Sequence, residues 1–177
     1  MSWEEQLFSI LEDLEQQAEA LYDAERDLDL ADRSRSEYAQ VTLSSRLMAS
    51  LDVQLILELR GVGRVSGSLQ RVGTGWCLLH GGGLDWIVRT GAITVVRDAS
   101  PRSVPEVAWS PVTRLGFGSA LRRLADAGEQ CVLHLVDGGR HEAVLTRVGK
   151  DFVEGSAAGE RPVLVAFSGL AAVQSRG

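Results

Sequence analysis

The residues able to do chemistry are few, and their spacing argues against catalysis. His80–Gly83 reads HGGG, a run whose backbone N–H groups could stabilise an oxyanion. That chemistry needs a serine in a G-x-S-x-G turn, and no serine here has glycines at that spacing. The three glycines therefore read as a flexible hairpin. Gly61–Gly67, GVGRVSG, is no dinucleotide-binding loop, because its third glycine comes one residue late and a strand follows it. Lys150, the only lysine, lacks a phosphate-loop context. His80, His134 and His141 show no i, i+4 helical pairing and no clustered thiols or carboxylates, so no metal site is expected. His134 falls at the outward position of an alternating strand, where an exposed polar residue is expected. Cys77 and Cys131 lie inside apolar runs, GWCLL and QCVLHL, and read as reduced core thiols. No catalytic residue and no cofactor is implied, and an enzyme is not expected.

The arginines carry more. Arg64 and Arg71 recur as Arg140 and Arg147, each pair flanking a strand at the same offset. A pseudo-symmetric set of four guanidinium groups could hold an anion or contact nucleic acid. Equally, such side chains could pair with nearby carboxylates or lay their stems over the fold.

That recurrence belongs to a longer repeat, and the repeat defines the elements that must position these residues. Without gaps, Arg46–Gly73 aligns with Arg122–Gly149, and eleven of the 28 positions are identical. Both stretches run into an echo, LQRVG (69–73) and LTRVG (145–149), after which Trp76 stands opposite Phe152. Self-similarity of this kind takes precedence when a fold is inferred. Each copy opens with a short helix, SSRLMASL (44–51) or GSALRRLADAG (118–128), with Ser119 as N-cap and Gly128 as stop in the second. An alternating strand follows, carrying Leu55, Leu57 and Leu59, or Cys131, Leu133 and Leu135. A glycine-bearing turn, GVGR or DGGR, leads into the strand that ends in the echo, whose closing glycine allows a bend. Three more short strands fit WCLLH, DWIVR and AITVV, with DFVEG, PVLVAF and LAAV as counterparts.

A helix followed by five bent strands is the order of the Sm-like small β-barrel. LHLVDGGRHEAVLTRVGKDFV (133–153) resembles the first sequence motif of that family, and LELRGVGRVSGSLQRVGTGWC (57–77) is similar to it, with Gly67 at the mid-strand glycine. The resemblance implies two duplicated five-stranded Sm/SH3-like small barrels, each opened by a short helix, over residues 41–98 and 114–177. In the family's RNA-binding members an Asp and an Asn hold a base. The matching positions here are Gly73 and Cys77, and Gly149 and Val153, so the resemblance brings no base pocket with it. An Arg-Gly of the second motif is also missing; VRTG (88–91) only approximates it. The resemblance further implies edge strands open to pairing, which two fused barrels could cover against each other.

Residues 1–40 differ from this body. They carry twelve acidic and three basic side chains, against twelve acidic and fifteen basic ones in residues 41–177. Trp3, Leu7, Ile10, Leu14, Leu21, Ala24, Leu28, Ala31 and Tyr38 follow an alternating 4-3 spacing, interrupted by Gln17 and Arg35. No glycine or proline intervenes, so one amphipathic helix suited to a coiled coil is predicted, with a break or kink near 31–40. Leu7, Ile10, Leu14, Leu21 and Leu28 form its partner or oligomer face. Pro101, Pro105 and Pro111 mark residues 99–113 as a semi-extended linker in which Trp109 either packs on the body or anchors a partner. No apolar run reaches the length of a membrane span and no basic leader opens the chain, so a cytoplasmic protein with no membrane association is expected. The function expected is that of a non-enzymatic adaptor or regulatory protein that self-associates or docks through its N-terminal helix. The alternative is an RNA- or DNA-binding regulator that uses the repeated arginines and an aromatic such as Trp76 or Phe152.

Overall fold

The computed structural model describes residues 3–157 and 159–176. It divides into two compact units, residues 1–41 and 42–177. The first is one α-helix, α1 (Trp3–Tyr38), which runs through the polar stretch at 31–38 without a break. Strong helix formers dominate the segment, and neither glycine nor proline interrupts it, so the i→i−4 ladder has no reason to stop earlier.

The second unit holds α2 (Leu43–Met48), α3 (Phe117–Ala127) and ten strands. These are β1 (Gln54–Leu59), β2 (Gly63–Gly73), β3 (Trp76–Gly81), β4 (Leu84–Arg89) and β5 (Ile93–Arg97), then β6 (Gln130–Leu135), β7 (Arg140–Val148), β8 (Phe152–Ser156), β9 (Val163–Ala166) and β10 (Leu170–Arg176). All ten belong to one open antiparallel sheet in the order β5-β1-β2-β3-β4-β10-β6-β7-β8-β9. Two five-stranded small barrels are therefore not what forms. The strand order repeats, 5-1-2-3-4 and then 10-6-7-8-9, but β4 and β10 pair directly from Val88↔Ala172 to Leu84↔Arg176 and make the sheet continuous.

Burial explains why these two strands join. Most strands alternate: Leu55, Leu57 and Leu59 are buried along β1, and Ala143 and Leu145 along β7. Strand β10 instead buries Leu170, Ala171, Ala172 and Val173 in succession, and β4 buries both Ile87 and Val88. A strand apolar on both faces needs cover on both, the condition of a central strand. Val88 and Ala172 point into a core built by Leu47, Leu57, Leu69, Cys77 and Leu79, while Ile87 and Val173 point into a second one built by Leu121, Leu133, Leu145 and Val153. The sheet thus passes between two cores, and each strand closes the hydrogen-bonding edge that the other would leave open.

The repeated sequences occupy matching places. Both β2–β3 and β7–β8 pair with a bulge after the same leucine, between Leu69 and Arg71 and between Leu145 and Arg147. The extra residue, Gln70 or Thr146, puts the following arginine on the exposed side too. A Cβ at Gly73 would lie 2.2 Å from the Trp76 ring, and one at Gly149 would lie 2.3 Å from the Phe152 ring. So the echo encodes a bulge followed by a glycine roofed by an aromatic ring. The irregularity in pairing lies three residues before the glycine, at the bulge.

Helix α3 starts two residues before Ser119, with Gly116 at the N-cap, because Phe117 is buried edge-on against Phe167, ring centroids 5.2 Å apart. It stops at Gly128, whose φ of 65° ends it in the left-handed conformation. Helix α2 carries a capping box between Thr42 and Ser45. Residues 99–113 are strapped onto it: Ser100 N–H donates to Ser50 Oγ, Val104 N–H to the Ser45 carbonyl, and Arg46 Nε to the Ser100 carbonyl. Trp109 packs into the first core and donates its indole N–H to the Val104 carbonyl at 3.0 Å.

Candidate functional site

Two surfaces carry the residues singled out from the sequence. The first is the apolar stripe of α1. Leu14, Leu21, Leu28 and Tyr38 are 54%, 69%, 65% and 62% exposed, levels far from those of a covered stripe. Tyr22 and Leu30, off the stripe, are exposed too. The side chains of Leu7 and Ile10 lie outside the described residues. Among the described residues, the helix forms one ion pair, Arg35–Asp32 at 3.7 Å.

The second surface is a cleft of about 320 Å³, lined by Gly61, Val62, Arg64, Val65, Trp86, His134, Arg140 and Gln174. The curl of the sheet builds it. The turn between β1 and β2 meets the start of the turn between β6 and β7 so closely that a Cβ at Gly61 would lie 2.4 Å from the Leu135 carbonyl oxygen. Gly61 also has a φ of 74°, which side-chain-bearing residues adopt at a cost. This approach brings together Arg64 and Arg140, the residues that follow the two turns at matching repeat positions.

Around the two arginines the repeats have diverged. In the first, Glu58 of β1 accepts from Arg97 of β5 at 2.9 Å and lies 3.5 Å from Arg64 of β2. The hydrogen bond from Arg97 is the main reason its carboxyl is held below the usual range. In the second, His134 stands in the place of Glu58 and Gln174 in that of Arg97. His134 Nε2 lies 2.9 Å from Gln174 Oε1, and its ring is 5.0 Å from that of Trp86. The expectation that His134 is an exposed polar residue is wrong: only 5% of it is accessible. The pairing of β4 with β10 puts Trp86 beside Gln174, and Trp86 then covers the imidazole. Desolvation, with help from the positive charge of Arg140, pushes the His134 pKa down, against the hydrogen bond to Gln174.

Arg64 thus has a carboxylate partner, whereas Arg71, Arg140 and Arg147 form no ion pair among the described residues. Arg71 and Arg147 are exposed on their bulges and do not line the cleft. The aromatics expected to stack on bases have structural partners. Trp76 donates its indole N–H to the Leu115 carbonyl at 2.8 Å, and the Phe152 ring lies over Gly149.

A larger depression of about 650 Å³ is lined by Glu129, Gln130, Glu142 and Ser175, among others, and reaches Cys131. That thiol is pushed up to about 11 by burial and donates to the Ala143 carbonyl. Burial raises Cys77 to about 12, and neither thiolate is available as a nucleophile at neutral pH. His80, in the HGGG run, lies 2.7 Å from Asp85 across the β3–β4 pair, with Gly82 and Gly83 turning the chain at positive φ. No group of three or more His, Cys, Asp or Glu side chains is placed to hold a metal among the described residues. No helix among them is long and apolar enough to cross a membrane.

Sequence reasoning missed Trp86, His134 and Gln174 as a cluster. A signal was present: where one repeat has Glu58 with Arg97, the other has lost both charges at aligned positions. No protein-family model matches the chain, and a search of curated proteins finds no match either.

Proposed function

We propose that this is a non-enzymatic interaction protein that docks through α1. The observation that carries the reading is the exposed 4-3 stripe of Leu14, Leu21, Leu28 and Tyr38 on a 36-residue helix. Burying each leucine stabilises an assembly by about 1.5–3 kcal/mol, which supports docking through the three leucines of the stripe. The β-sheet unit would then be the cargo or the second contact of an adaptor. The test compares the full chain with its L14A/L21A/L28A variant, which keeps helix propensity and removes the stripe. Light scattering and crosslinking in native lysate are expected to give an assembly, or crosslinks at residues 14–38, that the variant loses. Identical masses and crosslinks for both chains would overturn the reading.

A second reading rests on the convergence of Arg64 and Arg140 in one cleft. It makes the protein a regulator that binds RNA or DNA through phosphate contacts, with affinity falling steeply as salt rises. A gel shift at low salt tests it: an R64A/R140A variant that shifts nucleic acid as the parent does, or a parent that shifts none, removes this reading.

A further inference from the structure

We infer that the occupant of the α1 stripe is a basic amphipathic helix of another protein, and not a second copy of this chain. This deepens the docking reading above and rests on it. The charge pattern around the stripe carries the inference. With Leu14, Leu21 and Leu28 at one core position of the heptad, the flanking positions are Ala18, Glu25 and Asp32 on one side and Ala20, Asp27 and Ser34 on the other. Every charge on these flanks is negative. A parallel pair of identical helices sets Asp27 against Asp32 of its mate, and Ala20 against Glu25. An antiparallel pair sets each flank against its own kind. Either way acid meets acid at the positions that select partners in coiled coils.

The repulsion already exists within one helix. Glu15, Glu19, Asp23 and Asp27 are each four residues apart and form an acidic column, and like charges at that spacing destabilise a helix. All four are exposed, and among the described residues none of them forms an ion pair. Of the acids further on, Asp32 has Arg35 as a partner at 3.7 Å. A partner with apolar residues at its core positions and Lys or Arg on its flanks would cover the leucines and set its basic groups against Glu25, Asp27 and Asp32. A second copy would cover the leucines and double the repulsion.

Two synthetic four-heptad peptides test this against the full chain. Both carry Leu at the core positions; one has Lys on both flanks and the other Glu. Fluorescence anisotropy is expected to show binding of the Lys peptide, weakened tenfold or more between 50 and 500 mM salt, and at least a hundredfold preference over the Glu peptide. The E25K/D27K/D32K variant is expected to lose that preference or invert it, with circular dichroism confirming that α1 stays helical. Equal binding of both peptides, or an unchanged preference in the charge-reversed variant, overturns the inference. A full chain that dimerises at low micromolar concentration, and no longer does so as L14A/L21A/L28A, overturns it while leaving docking through α1 intact. A monomeric chain that binds neither peptide overturns both.

Discussion

The two halves of the sheet share a strand order, a register and a bulge, yet one strand position in each has taken opposite chemistry. Glu58 sits near the β5 edge, reachable by water, where two arginines can reach one carboxylate. His134 sits beside the join, under Trp86, where a carboxylate between Arg140 and Gln174 would have to be desolvated. Desolvating a charge costs several kcal/mol unless a partner offsets it, so the buried position takes a residue that can be neutral. Identical backbone geometry therefore does not fix side-chain chemistry. What lies across the next strand does.

The comparison breaks most visibly in the cores. Leu57→Ala and Leu133→Ala remove matching, fully buried side chains, and each is expected to cost about 2–5 kcal/mol. Because the sheet is continuous through β4 and β10, each variant should still unfold the whole body in one cooperative transition in urea. Two transitions, only one of them shifted, would show that the halves are independent.

The two echo glycines should differ by less. A Cβ at Gly73 meets the Trp76 ring and, at 2.8 Å, the Leu115 carbonyl oxygen, to which that ring is also hydrogen-bonded. The three atoms that a Cβ at Gly149 would meet first all belong to the Phe152 ring, which is 37% exposed. Gly73→Ala is expected to lower stability by about 2–3 kcal/mol, and Gly149→Ala by about 1 kcal/mol or less. Equal losses in thermal melts would mean that the second ring is as firmly held as the first.

A smaller effect separates the two positions by pH. His134 has a folded pKa below its ordinary value of 6.5, so the unfolded chain binds the proton first as pH falls. The stability it contributes is fully present above pH 6.5 and declines below it, down to the folded pKa. Glu58 is an acid held below its ordinary 4.5, so its contribution is fully present above pH 4.5 and is lost only below that. His134→Gln should therefore flatten the urea midpoint against pH just below 6.5, and Glu58→Gln only below 4.5. A slope just below pH 6.5 that survives His134→Gln would assign it to another group.

The smallest effect expected is on thiol access. Cys77 and Cys131 are buried, with pKa values raised to about 12 and about 11. Neither should react with iodoacetamide at pH 8 in the native protein, and both should react in urea, as mass spectrometry would show. Native labelling of Cys131 but not Cys77 would mean that the second half opens more readily than the first.

Much of this molecule was legible from local pattern. The period-2 alternation of Leu55, Leu57 and Leu59, the turn glycines and the 4-3 spacing of the first 38 residues are imposed within a few residues of chain, so the strands and α1 fall where that pattern puts them. The unbroken apolar run LAAV at 170–173 also carried the mark of a central strand. Pairing, by contrast, is a choice among edges far apart in sequence. The union of β4 with β10 joins residues more than eighty positions apart, and no local signal names a partner at that distance. That union makes one sheet in place of two closed units and places Trp86 over a buried His134, and Arg64 and Arg140 line one cleft beside it. Only the folded chain could settle these, because hydrogen-bonding edges and doubly apolar strands are satisfied by whatever the whole molecule brings against them.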